Sequence, residues 1–153
     1  MPGAASLAAG QYYAHPRNAF WPLMGRVLDA DMSTEYSRRL EVLQQAGIAL
    51  WDVIACCERK GSLDSAISPE TVVVNDFSFL FAVCPEISHI FFNGTAAETA
   101  FRRHVRLPAG RVMRMVRLPS TSPAHAGMTL AQKCMAWAEI ADVLGLPEPC
   151  LPD

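Results

Sequence analysis

Short apolar runs alternating with segments of helical period constrain this chain more than any other feature. Ile48–Cys57 is a nearly continuous apolar run carrying Trp51, Val53 and Ile54. A run of this kind suits a strand buried on both faces. Val72-Val73-Val74, His-Ile-Phe-Phe-Asn at 89–93 and the alternating Arg and Val or Met of Arg111–Leu118 supply three more candidates. Between them lie helical patterns. Ser33 or Thr34 is placed to cap a helix over Glu35–Ala46, with Tyr36, Leu40, Leu43 and Ala46 as its stripe and Gly47 as its stop. Asn75-Asp76 opens a helix through Phe77–Val83 that Pro85 ends, and Thr95 caps one over Ala96–Val105. A last helix runs from Thr129 or Leu130 to Leu144, with Leu130, Cys134, Trp137, Ile140, Ala141 and Leu144 on one face and Gly145 beyond. Such alternation predicts an α/β fold of three layers, α/β/α, around a four-stranded parallel sheet. Ligands of such sheets bind beyond the carboxyl ends of the strands, so the loops after Cys57, Asn93 and Leu118 are expected to share one rim.

The remaining numbers narrow the function. A length of 153 residues suits a single domain spanning residues 1–153. Hydrophobic residues make up 51% and charged residues 18%, the balance of a folded chain rather than a disordered one. No apolar run reaches the roughly 20 residues of a membrane span, and Met1–Gln11 lacks the pattern of a secretory signal. The expectation is a cytoplasmic protein with no membrane partner. Five cysteines, Cys56, Cys57, Cys84, Cys134 and Cys150, show neither Cys-x-x-Cys spacing nor a complementary His. They read as buried small hydrophobes, with no metal and no cofactor expected. Net charge is −2, but basic residues cluster at Arg38-Arg39, Arg59-Lys60, Arg102-Arg103-His104-Arg106 and Arg111, Arg114, Arg117. Such a face can meet phosphate on a near-neutral protein, although each cluster alone is equally a solvated surface.

Met1–Phe20, rich in Gly, Ala and Pro, reads as a long functional loop. Within it stand Met1-Pro2-Gly3 and then Gln11-Tyr12-Tyr13-Ala14-His15-Pro16-Arg17-Asn18-Ala19-Phe20-Trp21. Further along come Leu50-Trp51-Asp52-Val53, Gly61-Ser62-Leu63-Asp64-Ser65, Asn75-Asp76-Phe77, Phe92-Asn93-Gly94 and Leu118-Pro119-Ser120-Thr121-Ser122-Pro123-Ala124. In this order the segments resemble the uracil-DNA glycosylase superfamily, in particular its DNA-deoxyinosine (hypoxanthine-DNA) glycosylases, and the resemblance spans essentially the whole chain.

The resemblance implies a monofunctional DNA glycosylase acting on double- or single-stranded DNA that carries a deaminated base, as a monomer without cofactor. Such an enzyme extrudes the base, holds its face, reads its edge and admits water to the sugar. By the resemblance, Tyr13 stacks on the base and Asn18 is the catalytic amide. Asp52 stands at the position that resembles the base-reading residue of uracil enzymes, and Pro2 and Gly3 frame the base. His15, Ser120, Thr121 and Ser122 are implied DNA contacts. Read without the resemblance, His15-Pro16 is a turn, Phe20 and Trp21 are core, Asp52 is an inward polar residue, and Asn75-Asp76 is a helix cap.

Two departures favour hypoxanthine over uracil. Met1 stands where many members carry an Asp or Asn, and Leu118 stands near the place of a His that uracil enzymes aim at the base carbonyl. Relatives also carry an apolar central strand just before their Met-Pro-Gly, so the first central strand is read as truncated here and the true start as lying upstream of Met1. The alternatives are a mismatch-specific uracil-DNA glycosylase and an inactive DNA-binding remnant without that strand.

Overall fold

The computed structural model describes residues 1–28, 30–61 and 63–147. Its elements run α1 (Ala4–Ala9), α2 (Phe20–Leu28), α3 (Tyr36–Gln45), β1 (Ile54–Cys56), β2 (Val73–Val74), α4 (Phe77–Val83), β3 (His89–Asn93), α5 (Thr95–His104), β4 (Arg114–Leu118), α6 (Leu130–Trp137) and α7 (Glu139–Leu144), with single 3-10 turns at Asp64–Ala66 and Pro69–Thr71. They divide into two units, one of Met1 with residues 52–120, the other of residues 2–51 and 121 onward.

In the unit of residues 52–120, β3 and β4 pair in parallel from His89 opposite Arg114 to Asn93 opposite Leu118. Among the described residues the expected four-stranded parallel sheet does not form as one sheet. β1 and β2 make a separate antiparallel pair, Ile54 opposite Val74, with an irregular register. The reason lies in length: Val73–Val74 offers two residues and Ile54–Cys56 three, too few to extend a sheet across its width. The Ile48–Cys57 run is also less buried than expected, with Trp51, Ala55 and Cys56 exposed. A core of Val53, Phe77, Phe81, Phe92, Phe101, Val105 and Met113 packs under the parallel pair, with Phe77 edge-on to Phe101 at 5.1 Å. Truncating a buried Phe here is expected to destabilise by about 3–5 kcal/mol. Asp76 caps α4 by accepting from Phe79 N–H, as its position predicts. Arg111 does not serve as a surface cation: its guanidinium donates to the carbonyls of Phe81, Pro85 and Ile87 and closes the end of α4.

The unit of residues 2–51 and 121 onward is helical. The stretch read as one loop contains α1, because Ala4, Ala5, Ala8 and Ala9 favour helix without any apolar period to announce it. Gly10 stops it in the left-handed region, φ +60°, with its N–H and that of Gln11 closing back on Leu7 and Ser6 carbonyls. The α2 helix buries Phe20, Trp21, Leu23 and Met24 and packs on α6. The α3 helix is capped by the Glu35 carboxylate accepting from Arg38 N–H, one residue past the expected Ser33 or Thr34. Its buried face holds Arg39 and Leu43, with Arg39 in the stripe where Leu40 was expected. The long final helix breaks at Ala138 into α6 and α7. A full capping box starts α6, Thr129 accepting from Gln132 N–H and Gln132 accepting from Thr129 N–H.

Of the cysteines expected to be buried, Cys134 is; Cys57 and Cys84 are half-buried and Cys56 is exposed. Cys150 and Ser62 lie outside the described residues. Among the described residues no helix is long and apolar enough to cross a membrane.

Candidate active site

The segment between α1 and α2 has no regular backbone structure, yet several of its backbone groups are held by side chains. Ser6, buried in α1, accepts from Ala14 N–H through Oγ at 3.2 Å. Tyr36 of α3 accepts from Tyr12 N–H through its hydroxyl at 2.9 Å. Trp21 of α2 donates its indole N–H to the Tyr12 carbonyl at 2.8 Å. Both backbone groups of Tyr12 are thereby fixed.

Tyr13 follows in the left-handed region, φ +54°, and among the described residues it is the one other than glycine found there. A bulky side chain in that conformation is an outlier that costs on the order of 1–3 kcal/mol and persists only where its surroundings enforce it. The Tyr13 ring stacks on Phe20 with centroids 4.1 Å apart and 24° between planes. Phe20 in turn meets Trp21 and Trp137 edge-on. Tyr13 thus presents a half-buried ring on a rigid aromatic base.

His15-Pro16-Arg17-Asn18 forms a tight turn. Asn18 N–H donates to the His15 carbonyl at 2.8 Å, and Arg17 N–H donates to His15 Nδ1 at 3.1 Å. A ring nitrogen that accepts carries no proton, so this bond selects the tautomer with its hydrogen on Nε2. Asn18 Oδ1 accepts from Phe20 N–H at 2.9 Å, an Asx turn that opens α2. This bond settles which way the amide points: the oxygen is used, and the Nδ2 hydrogens are left to donate.

The second segment joins this arrangement through its backbone. Ala19 N–H donates to the Thr121 carbonyl at 3.0 Å. Thr121 is 1% exposed, so its side chain braces the fold rather than facing outward as a phosphate contact would. Ser122 accepts from Ala124 N–H at Oγ and from His125 N–H at its carbonyl. Lys133, 6% exposed on α6, donates to the His125 carbonyl at 3.0 Å. Burial holds its amine below the ordinary value of 10.5. Pro2 and Gly3 are half-buried at the start of α1, and Gly3 serves as its N-cap with ordinary backbone angles.

Within residues 52–120, Asp52 is half-buried. Its carboxylate lies 3.2 Å from the Met1 nitrogen. The cap expected of the Asn75-Asp76 pair falls to Asp76, while the Asn75 amide donates to the Asp52 carbonyl at 2.8 Å and its N–H donates to the Val53 carbonyl. Ser120 lies where β4 ends. Gly94, closing β3 at φ +90°, donates to the Leu118 carbonyl at 3.0 Å, and a Cβ on it would come 3.0 Å from that of Ser120. The carboxyl ends of the two parallel strands therefore meet as expected, whereas the Cys57 end belongs to the other sheet. Of the clustered arginines, Arg102 and Arg117 both pair with Glu98, at 3.0 and 3.4 Å. Among the described residues no three His, Cys, Asp or Glu side chains gather as a metal site.

Sequence reasoning missed Ser6, Tyr36, Trp21 and Asn75 as supports. A lone Ser in an Ala-rich helix and a Tyr at the start of an amphipathic one are weak signals, since their partners lie 8 and 24 residues away.

No protein-family model matches the chain. It is 40% identical over 95 residues to a hypoxanthine DNA glycosylase of Methanosarcina barkeri, which covers 61% of this chain and 59% of that protein. It is 38% identical over 98 residues to a hypoxanthine DNA glycosylase of Methanosarcina acetivorans, covering 63% and 61%. The chain thus spans about three fifths of the length of these curated relatives. The solution NMR structure of a Methanosarcina acetivorans protein, provisionally assigned as a uracil DNA glycosylase, superposes with a TM-score of 0.73 at 31% identity, over 94% of this chain and 86% of that one. By this likeness in fold and sequence, the chain belongs to the uracil-DNA glycosylase superfamily, with the hypoxanthine glycosylases as its curated relatives.

Proposed function

We propose that the protein hydrolyses the N-glycosidic bond of a deaminated base in DNA, hypoxanthine above all, and leaves an abasic site. The observation that carries this reading is the Tyr13–Asn18 segment, where a strained aromatic braced through Tyr12 by Trp21 and Tyr36 shares one short turn with an amide oriented by Phe20 N–H. Strain of this sort accumulates where geometry serves chemistry. The Tyr13 ring holds the face of the extruded base. As the bond from C1′ to the base nitrogen breaks, charge develops on the base and the sugar becomes oxocarbenium-like. The Nδ2 hydrogens of Asn18 donate to the groups where negative charge or the water lone pair lies, at no ionisation step of their own. Water then forms the new C1′–O bond, and its released proton ends on the departing base.

In the same reading Asp52 accepts from the N1–H of hypoxanthine, and Pro2 and Gly3 frame the base. His15, Ser120 and Ser122 contact the DNA backbone, while Thr121 acts through the backbone it braces. The superposition on a glycosylase-type fold supports one catalytic domain, residues 1–153, with β3 and β4 as part of a parallel sheet. The enzyme works as a monomer in the cytoplasm, with water rather than an amine as nucleophile and no cofactor.

Labelled duplexes carrying hypoxanthine, uracil, xanthine or a G/T mismatch, incubated with protein and cleaved with alkali, test the proposal. Cutting chiefly at hypoxanthine is the expected outcome. Cutting chiefly at uracil transfers the reading to mismatch-specific uracil excision, and salt-sensitive binding without cutting reduces it to a DNA-binding remnant.

A further inference from the structure

Among the described residues Arg39 is a buried cation without a salt bridge, although the charge of the Asp31 carboxylate reaches it. It is 7% exposed, its Nε has no hydrogen-bond partner, and its Nη1 reaches only the Met32 sulfur, at 3.4 Å. A guanidinium so placed is expensive unless something compensates it. Beyond the field of Asp31, the compensation is aromatic. Its central carbon lies 4.6 Å from the Trp21 ring centroid and 5.2 Å from that of Tyr36, and those two rings stand at 89° with centroids 6.0 Å apart. One cation thereby faces two rings that meet as a corner.

The same two rings hold Tyr12. Tyr36 receives its N–H and Trp21 donates to its carbonyl. That carbonyl lies in the peptide plane whose other end is the nitrogen of Tyr13, and φ of Tyr13 is the rotation away from that plane. With the plane fixed by Trp21 and the ring fixed on Phe20, Tyr13 has no route back to a relaxed backbone. A charge over the Trp21 face also makes the indole N–H a stronger donor. We infer that Arg39 is a positioning residue for base recognition, acting through Trp21, Tyr36 and Tyr12 to hold Tyr13 in its left-handed conformation. The inference rests on the base-holding role proposed for Tyr13, but its structural half stands without it.

The test uses the full chain carrying Arg39→Met, which keeps volume and removes charge, and reads three quantities. Aromatic NMR, with Tyr13 assigned through Tyr13→Phe, follows the ring-current shift that Phe20 imposes. Thermal unfolding reports the fold. Single-turnover cleavage of hypoxanthine duplex is compared with affinity for the same duplex. The expected result is a cooperative fold, a Tyr13 resonance moved toward the value of a free tyrosine, a single-turnover rate lowered about tenfold, and affinity changed by less than about twofold. Arg39→Lys, a point charge over the same rings, is expected to recover part of the rate. An unmoved Tyr13 resonance in folded Arg39→Met overturns the inference whatever the enzyme cuts. A moved resonance in a protein whose wild type cuts nothing upholds the positioning and rejects the glycosylase reading instead. Should Arg39→Met fail to fold, Arg39→Gln, with a planar polar head and no charge, carries the same decision.

Discussion

Two irregular stretches of this chain have opposite construction. Apart from the His15–Asn18 turn, residues 11–19 are secured from outside, with backbone groups bonded to Ser6, Trp21 and Tyr36. Residues 58–72 are secured largely within themselves. Thr71 accepts from Glu58 N–H and donates to the Ser68 carbonyl, Ser68 N–H returns to Glu58, and Arg59 pairs with Asp64 at 3.4 Å. The first stretch enforces a backbone outlier at Tyr13; among the described residues the second has a positive φ at Gly61 alone, where it is inexpensive. A loop that binds itself is a connection, and a loop bound by three helices can hold an unfavourable geometry in place.

The sharpest way to break this comparison is at Asn18. Asn18→Ala is expected to lower single-turnover excision by about 10²–10³-fold, the range for removing one donor from a developing charge. Loss of the Asx turn should cost only about 1 kcal/mol in urea unfolding. Retained turnover would remove Asn18 from the chemistry. Next comes Tyr13, where the order of two variants is the measurement. Tyr13→Gly and Tyr13→Ala should both lose excision by about 10–100-fold, since each removes a stacking face. In thermal unfolding, however, glycine should exceed alanine by about 1 kcal/mol, because only glycine is at ease with that φ. Alanine equal or superior to glycine would mean that the conformation is not enforced.

Smaller, and aimed at the comparison itself, is the pair Tyr36→Phe and Thr71→Val. Each deletes a hydroxyl that serves a backbone N–H and should destabilise by about 1 kcal/mol. Excision should fall several-fold in Tyr36→Phe and stay at the wild-type rate in Thr71→Val; equal rates would erase the distinction between the loops. The smallest effect belongs to Lys133, which holds the Ser122–His125 turn from α6. Because burial lowers its folded-state value below 10.5, the unfolded chain binds the extra proton between the two values. Stability from this group therefore rises with pH across that window, and is at its lowest below it. Urea unfolding at a series of pH values should show that rise flattened in Lys133→Met, and parallel profiles would refute it.

How much of this was legible beforehand follows from where each signal resides. β3 announced itself because His89–Asn93 is a compact apolar run closed by Gly94, and α4 because Asp76 and Pro85 bracket it. α1 carried no period to find, and α2 hides its apolar face behind Pro22 and Gly25, residues that read as breaks. The antiparallel turn of β1 on β2 is a matter of strand length and pairing rather than of residue type. Arg39 read as one of a basic pair because sequence shows charge but not the rings above it. Tyr13 and Asn18 were marked by resemblance alone; that Asn18 spends its oxygen on Phe20 was written nowhere in their order.

Gly94 and Ser120 carry a lesson for anyone who would re-engineer the second segment. Since a Cβ at 94 would sit 3.0 Å from the Ser120 Cβ, the two sites form a single design variable, and libraries that vary 120 toward bulk will select for silence at 94. Lineages should show the same bookkeeping: a larger residue after β4 can spread only while the position after β3 stays without a side chain.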